Sequence, residues 1–423
     1  MVTSEQIRPS YAGAFRCTGT ECEDTCCREW TVNIDRQTYE KYQSLPDIQP
    51  RLQECMVIKD APTELEYARI QYTPSGVCPF LSPERLCEIH KKYGGEYLSR
   101  ICATYPRNTI AVVGVGETSV ALSCPEAARL VLLNPRLLPE ADASSTHARY
   151  RQFLLNKAPA AASNGDPLAF FFPLRSFIVA LLKDPRYPLW QRLFILGQFC
   201  ARLQELAAAG QTGLIPKLLH DYAEIIMEKK LREPMDRIPV HPVPQLEVAG
   251  KFGLRANRNP HYASFNECLD EFMRGIQFDP ALPLENCVPA YSEACARYYR
   301  PFMDAHPFLL ENYLVDFVLS QCFPLSRDPK ARNQLVLVDA QVVYFMLCIH
   351  FAVIQAMLIG IAGYHREAFG AKHVVRLIYS FTRVTDHCPG FLQEVQTSLK
   401  DANLMNSSGM ALLLKSPADY RAG

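Results

Sequence analysis

Nine cysteines fall between positions 17 and 124 of this 423-residue chain, and eight of them, all but Cys55, are better placed to do chemistry than any other residues in it. Cys17, Cys22, Cys26 and Cys27 share one segment, C-T-G-T-E-C-E-D-T-C-C. Cys78 and Cys87 flank P-F-L-S-P-E-R-L, Cys102 precedes A-T-Y-P, and Cys124 precedes P-E-A-A. On flexible, Gly- and Pro-punctuated sequence such thiolates can converge on one centre, each bringing a negative charge that a metal offsets. Amides of the same loops can donate to the sulfurs and tune the site. Adjacent side chains point in different directions, so Cys26 and Cys27 are not expected to reach one iron together. Cys124, followed by proline, is expected at a helix start, where free N–H groups favour a thiolate. Zinc bound by four cysteines usually shows closely paired knuckles. Cys22–Cys26 has such a spacing, but the C-x8-C and C-x14-C intervals that follow do not pair with it. Sulfur-only ligation therefore favours an iron–sulfur cluster, with zinc as the alternative. Cys200, Cys268, Cys287, Cys295, Cys322, Cys348 and Cys388 stand singly among apolar residues and read as small core side chains, and Cys55 reads as structural.

The elements that must hold these cysteines are of two kinds. Residues 1–140 read as a small, irregular cysteine-rich metal-binding module. Its clearest pieces are a β-hairpin over Asn108–Cys124, turning at Gly116-Glu117, and a helix opened by Pro125. Residues 141–423 read as a helical domain, reached through a soft Ala/Ser/Pro-rich stretch. Apolar residues recur at helical spacing over Phe170–Lys183, Leu189–Ala208, Leu214–Lys230, Ser264–Ile276, Tyr291–Asp304, Pro307–Cys322, Val336–Tyr364, Arg366–His387 and Pro389–Ala402. The Pro- and Arg-rich stretch Arg232–Asn259 reads as a long loop. The predicted fold is mainly α, with the small module packed on the larger all-helical domain.

Composition narrows the partners. Forty-four basic residues balance 44 acidic ones, so no field of one sign attracts nucleic acid or anionic lipid. A protein or a small molecule is the expected partner. The N-terminus shows no secretory pattern, and free clustered cysteines suit a reducing cytoplasm, the expected location. Val342–Gly363 carries no charged side chain and is long enough to cross a bilayer. It contains His350 and Gln355 and lacks an aromatic belt, so we read it as a buried central helix rather than a membrane insertion.

The order of motifs carries a resemblance. A vicinal-cysteine cluster, then C-P-F-L…C-x-I-H, then C-x-x-Y-P resembles a broad group of cysteine-rich zinc- or iron-chelating proteins. Within that group Tyr11–Cys17 (YAGAFRC), Glu23–Cys27 (EDTCC), Ser123–Arg129 (SCPEAAR), Glu311–Val315 (ENYLV) and Phe381-Thr-Arg383…Asp386-His387 resemble the flagellin lysine-N-methylases, over nearly the whole chain. The resemblance implies methylation of lysine side chains on flagellin with S-adenosylmethionine as donor. It also implies an iron–sulfur cluster, of the 4Fe-4S type, held among Cys17, Cys22, Cys26, Cys27, Cys78, Cys87, Cys102 and Cys124. Neither a radical-type C-x3-C-x2-C triplet nor a nucleotide-binding Gly-rich strand–helix turn is present, so the donor site is not legible.

Methylation requires a neutral amine, whereas a free lysine titrates near ~10.4, so an acceptor for its proton must stand in a shielded pocket. Glu311, Tyr313 and His387 are the candidate catalytic residues, with Asp316 and Arg383 in the same stretches. His350 reads as a core histidine, and Trp30 and Tyr39 as covers of the first cysteine loop. The alternative function is a non-catalytic iron–sulfur or zinc protein serving electron transfer or partner docking.

Overall fold

The computed structural model describes residues 6–7, 9–28, 30–112, 115–138, 150, 152, 154, 167–256, 262–328, 334–336, 340–387, 397, 400 and 405–417. The fold is mainly helical, as expected, with small sheets of two or three strands. The cysteine-bearing third runs through β1 (Gln6–Ile7), α1 (Ser10–Ala14), β2 (Asn33–Ile34), α2 (Arg36–Gln43), α3 (Leu52–Cys55), β3 (Met56–Ile58), β4 (Ala68–Ile70), α4 (Glu88–Tyr93), α5 (Arg100–Thr104), β5 (Arg107–Val112), β6 (Val115–Val120) and α6 (Pro125–Leu132). Strands β2, β4 and β3 form one antiparallel sheet; β5 and β6 form the hairpin, with β1 parallel to β6. Local chemistry sets the short helices. The Asp35 carboxylate accepts from Thr38 N–H to start α2, and the Ser99 hydroxyl accepts from Cys102 N–H to start α5.

Two apolar cores result. The smaller gathers Val32, Ile34, Tyr42, Leu52, Met56, Phe80 and Ile89, and Cys27, Cys78, Cys87 and Cys102 pack on or within it. The larger is the helical core, and it also takes Tyr11, Phe15, Val120, Cys124, Ala127 and Val131 from the N-terminal third. The cysteines thus stand where the two cores adjoin.

The helical part comprises α7 (Phe171–Leu182), α8 (Leu189–Ala208), α9 (Ile215–Met227), α10 (Arg232–Asp236), α11 (Pro242–Ala256), α12 (Ala263–Gly275), α13 (Val288–Ala294), α14 (Arg300–Ala305), α15 (Phe308–Ser320), α16 (Ala340–His365), α17 (Ala371–His387) and α18 (Ser407–Leu414), with a small ribbon of β7 (Ser326–Asp328) and β8 (Gln334–Val336) before α16. Helix α16 is the axis: α8, α11, α12, α13, α15, α17 and α18 all contact it. It is long and apolar enough to cross a membrane, yet 83% of its apolar window is buried against its neighbours, which supports the central-helix reading. Its closest crossing is with α12. A Cβ on Gly275 would overlap the Gly360 carbonyl, and one on Gly363 would lie 2.8 Å from the Gly275 carbonyl oxygen, so the backbones touch directly.

Three expectations need correction. Arg232–Asn259 is not a long loop, for α10 and α11 fill most of it. Pro234, Pro242 and Pro244 lie in first turns, where a missing N–H costs nothing, and Pro239 lies in the link between the two helices. The hairpin does not turn at Gly116-Glu117, because Arg107 pairs with Val120 and Val112 with Val115. Gly116 and Glu117 therefore lie within β6, where the Glu117 carboxylate takes both guanidinium arms of Arg175. The predicted Tyr291–Asp304 helix is interrupted by a wide π turn at Cys295–Tyr299. Most of Pro389–Ala402, including Cys388 just before it, lies outside the described residues.

Candidate functional site

The structure gathers the eight cysteines from five separate segments into one neighbourhood. Cys17 and Cys26 are exposed, Cys22, Cys27, Cys87 and Cys102 half-buried, and Cys78 and Cys124 buried. Cys78 N–H donates to the Cys27 carbonyl at 2.9 Å, joining the first loop to the second. Burial pushes Cys102 up to about 11, with Cys87 and Cys26 adding to the rise. Burial also pushes Cys78 up to about 12, again with Cys87 and Cys102 contributing, and Cys124 up to about 12, with Cys22 and Cys26 contributing. The thiols thus fall into two overlapping sets, Cys26–Cys78–Cys87–Cys102 and Cys17–Cys22–Cys26–Cys124, with Cys26 common to both. Within the vicinal pair, the Cys26 thiol is hydrogen-bonded to Cys27, which, with burial, holds it well above its ordinary pKa. Residues 26–27 sit in a bend, where the alternation of side-chain directions found in extended chain does not apply.

Backbone amides surround the sulfurs. Gly19 N–H donates to Cys17 Sγ at 3.4 Å, and Gly19 adopts φ +59° to make that turn. The amides of Asp24, Phe80, Ile89 and Glu126 likewise point at Cys22, Cys78, Cys87 and Cys124, each two positions upstream. Cys87 and Cys124 are the N-cap residues of α4 and α6, so a second amide of the first turn joins each, from His90 and Ala127. Every one of these N–H groups favours the thiolate over the thiol. Among the described residues no three Cys, His, Asp or Glu side chains are already drawn together as a metal-binding group.

Two arginines clamp the first loop to the helical core. Arg383 of α17 reaches Asp24 Oδ2 at 2.7 Å and donates to the Ser123 carbonyl at 3.2 Å, its side chain 8% exposed. Arg129 of α6 pairs with Glu23 at 2.5 Å and Glu126 at 2.8 Å. Upstream, Arg107 donates to the carbonyls of Ala12 and Phe15, fixing the chain just before Cys17. Trp30 covers the loop as expected: its indole N–H donates to the Cys26 carbonyl at 2.7 Å and its ring lies 5.1 Å from Tyr105. Tyr39 instead packs on Tyr67, inside the smaller module.

The candidate catalytic residues lie apart. Glu311 Oε2 accepts from Arg192 at 2.7 Å. Tyr313 is fully buried with its hydroxyl 3.0 Å from His350 Nδ1, and the same burial holds its pKa well above the ordinary value. Asp316 is buried beside them and has one oxygen without a partner; burial, then the Asp386 charge, raises its pKa well above normal. His350 is a core histidine between Phe317 and Phe381, and burial lowers it to about 4. His387 ends α17, and its side chain lies outside the described residues.

A cleft of about 740 Å³ opens on the helical side, between α8, α10, the π turn, α15 and α16. Arg192, the partner of Glu311, is part of its wall. Sequence reasoning did not find this cleft, because its lining comes from stretches far apart in the chain. The one available signal was Gln355, a polar residue in the most apolar helix.

The family described as FliB lysine N-methylase C-terminal domain matches residues 175–413, more than half of the chain. A flagellar biosynthetic protein, FliU, of Salmonella muenchen is 29% identical over 149 residues, which are 34% of this chain and 88% of that protein. The lysine-N-methylases of Salmonella typhimurium (strain LT2) and Salmonella choleraesuis (strain SC-B67) are each 30% identical over 129 residues, 30% of this chain and 32% of theirs. The match therefore spans about a third of the two methylases. No solved structure matches. With the family match covering most of the helical part, this chain belongs to the FliB lysine N-methylase C-terminal domain family.

Proposed function

We propose that this protein is a lysine N-methyltransferase that methylates flagellin in the bacterial cytoplasm, takes its methyl group from S-adenosylmethionine and holds a cysteine-bound iron–sulfur cluster. Family membership supports lysine methylation. The flagellar name of the Salmonella muenchen relative supports a flagellar substrate. The cluster rests on one observation: five of the eight cysteines receive an amide N–H from the residue two positions on. That environment suits metal thiolates, which accept hydrogen bonds from the loops that carry them. Cys26, Cys78, Cys87 and Cys102 would hold the group, with Cys17, Cys22, Cys27 and Cys124 as the reserve set. A bound 4Fe-4S cluster would supply electron transfer or a Lewis-acidic iron; zinc, the alternative, would supply Lewis acidity alone.

Methyl transfer to lysine forms one N–C bond, breaks the methyl–sulfur bond with its electron pair returning to sulfur, and releases one proton from the ammonium. We assign acceptance of that proton to α15, with Glu311 foremost because it stands one ion pair behind the cleft wall. Tyr313 and His387 are the further candidates, and Tyr313 is already committed to His350.

The test is iron and sulfide content of protein purified without oxygen, for the wild type, Cys26→Ser and Cys102→Ser, together with mass spectrometry of flagellin lysines after incubation with S-adenosylmethionine. Stoichiometric iron and sulfide, lost in both variants, and methylated lysines support the reading. Zinc alone, or metal retained in both variants, overturns the cluster; unmodified flagellin overturns the substrate.

A further inference from the structure

The cleft has chemistry of its own. Gln191 of α8 and Gln355 of α16 both line it, are almost wholly buried, and each keeps a side-chain amide oxygen with no hydrogen-bond partner. A buried acceptor left unsatisfied costs stability and is uncommon, so two beside one cleft point to donors that arrive with a ligand. The Gln191 amide nitrogen already donates to Asp236 Oδ1 at 2.7 Å, which leaves its oxygen for another partner. Arg232 makes only a long ion pair with Asp236, its Nε 4.0 Å from Oδ2, so its terminal nitrogens can take a carboxylate. Tyr299, on the π turn, and Trp190 supply aromatic surface.

Charge narrows the ligand further. Of the cationic groups on the wall, Arg186 is paired with Asp184, Arg192 with Glu311, Arg237 with Glu233 and, at 4.0 Å, Arg232 with Asp236, while Lys415 donates to the carbonyls of Asp236 and Ile238. The cleft therefore does not present a bare cationic surface suited to a polyphosphate. Its unsatisfied acceptors call for N–H donors, its arginine for one carboxylate, and its rings for a flat heterocycle. At about 740 Å³ it has room for a ligand of that size.

We propose that this cleft seats the methyl donor, an amino-acid conjugate of a purine nucleoside, with its amino groups on Gln355 and Gln191 and its carboxylate on Arg232. The assignment rests on the methyltransferase reading and places the donor on the helical side of the molecule, in a site built by α8, α10 and α16 and separate from the cysteine loops.

The test is calorimetric binding of S-adenosylhomocysteine and S-adenosylmethionine to the full chain purified without oxygen, for the wild type, Gln355→Leu and Arg232→Gln. Gln355→Leu removes an unsatisfied buried oxygen at nearly constant volume, so a purely structural glutamine predicts equal or greater thermal stability and unchanged binding. The proposal predicts retained stability and binding weakened at least about tenfold in both variants. Binding equal to wild type in both variants overturns the cleft assignment while leaving methyl transfer intact. Weakened binding in folded variants, with no methylation of flagellin by the wild type, upholds the cleft and overturns the flagellin reading. Failure of the folded wild type to bind either nucleoside overturns the cleft proposal.

Discussion

Replacing Arg383 by Met should release the first cysteine loop without unfolding the helical core. Arg383 Nη1 and Asp24 Oδ2 lie 2.7 Å apart, with the two side chains 8% and 19% exposed. Burial opposes the guanidinium charge, but Asp24, helped by Tyr105 and Cys26, more than offsets it, and the net shift of Arg383 is upward. At that separation the gross attraction is about 6 kcal/mol for an effective dielectric near 20. Desolvation cancels much of it, and Asp24 keeps some water. A coupling of about 2 kcal/mol should survive in a double-mutant cycle with Asp24→Asn. Arg383→Lys should recover only part of it, because one ammonium cannot serve both Asp24 and the Ser123 carbonyl in the same fork geometry. The assay is urea unfolding of the four-protein cycle, with hydrogen exchange to localise the loss. Exchange should rise in residues 17–30 and stay slow in α16. A coupling below about 0.5 kcal/mol, within the usual additivity error, or exchange rising throughout α16 instead, would refute the idea that this pair anchors the cysteine loop to the core.

Gly275→Ala should destabilise the protein by about 2 kcal/mol in urea titrations, since overpacking against Gly360 outweighs the helix propensity gained. The same change at Gly250, where nothing lies within 4 Å of the added Cβ, should not destabilise, and equal losses at both sites would be the contrary result. His350, lowered to about 4 by burial, adds a pH dependence. The unfolded chain takes up its proton near 6.5 while the folded chain does not, so stability falls as pH drops from about 6.5 towards 4, by up to about 3 kcal/mol. His373 is lowered to about 4 as well, by burial and then by His365, so the His350 share is read as the flattening of the stability–pH curve in His350→Gln. An unflattened curve would mean that His350 is protonated in the fold.

Much of the helical part was legible in the sequence. A three- and four-residue apolar period is the physical requirement for a helix that buries one face, and α8, α15, α16 and α17 follow it closely. The Pro125 start of α6 and the helix-capping position of Cys124 were legible for the same local reason. Arg232–Asn259 was misread because proline is a breaker in a helix interior but not in its first turn, and composition does not reveal which position each proline takes. Gly116-Glu117 was misread as the turn, whereas both residues lie within β6, with Glu117 paired to Arg175, 58 positions away.

The candidate site divides along the same line. Residue type and spacing alone picked out the eight cysteines as a thiolate set, since few roles other than metal or redox chemistry crowd so many thiols into loop sequence. The motif order carried the family resemblance too. Only the tertiary structure decided how they group, with Cys26 shared between two sets of thiols, Arg383 reaching Asp24 across 359 positions, and two glutamine oxygens left without partners beside one cleft. The physical reason is range. Helix period, capping and cysteine spacing act within a few residues and are written locally, whereas ion pairs, orphaned acceptors and clefts exist only once distant segments have packed together.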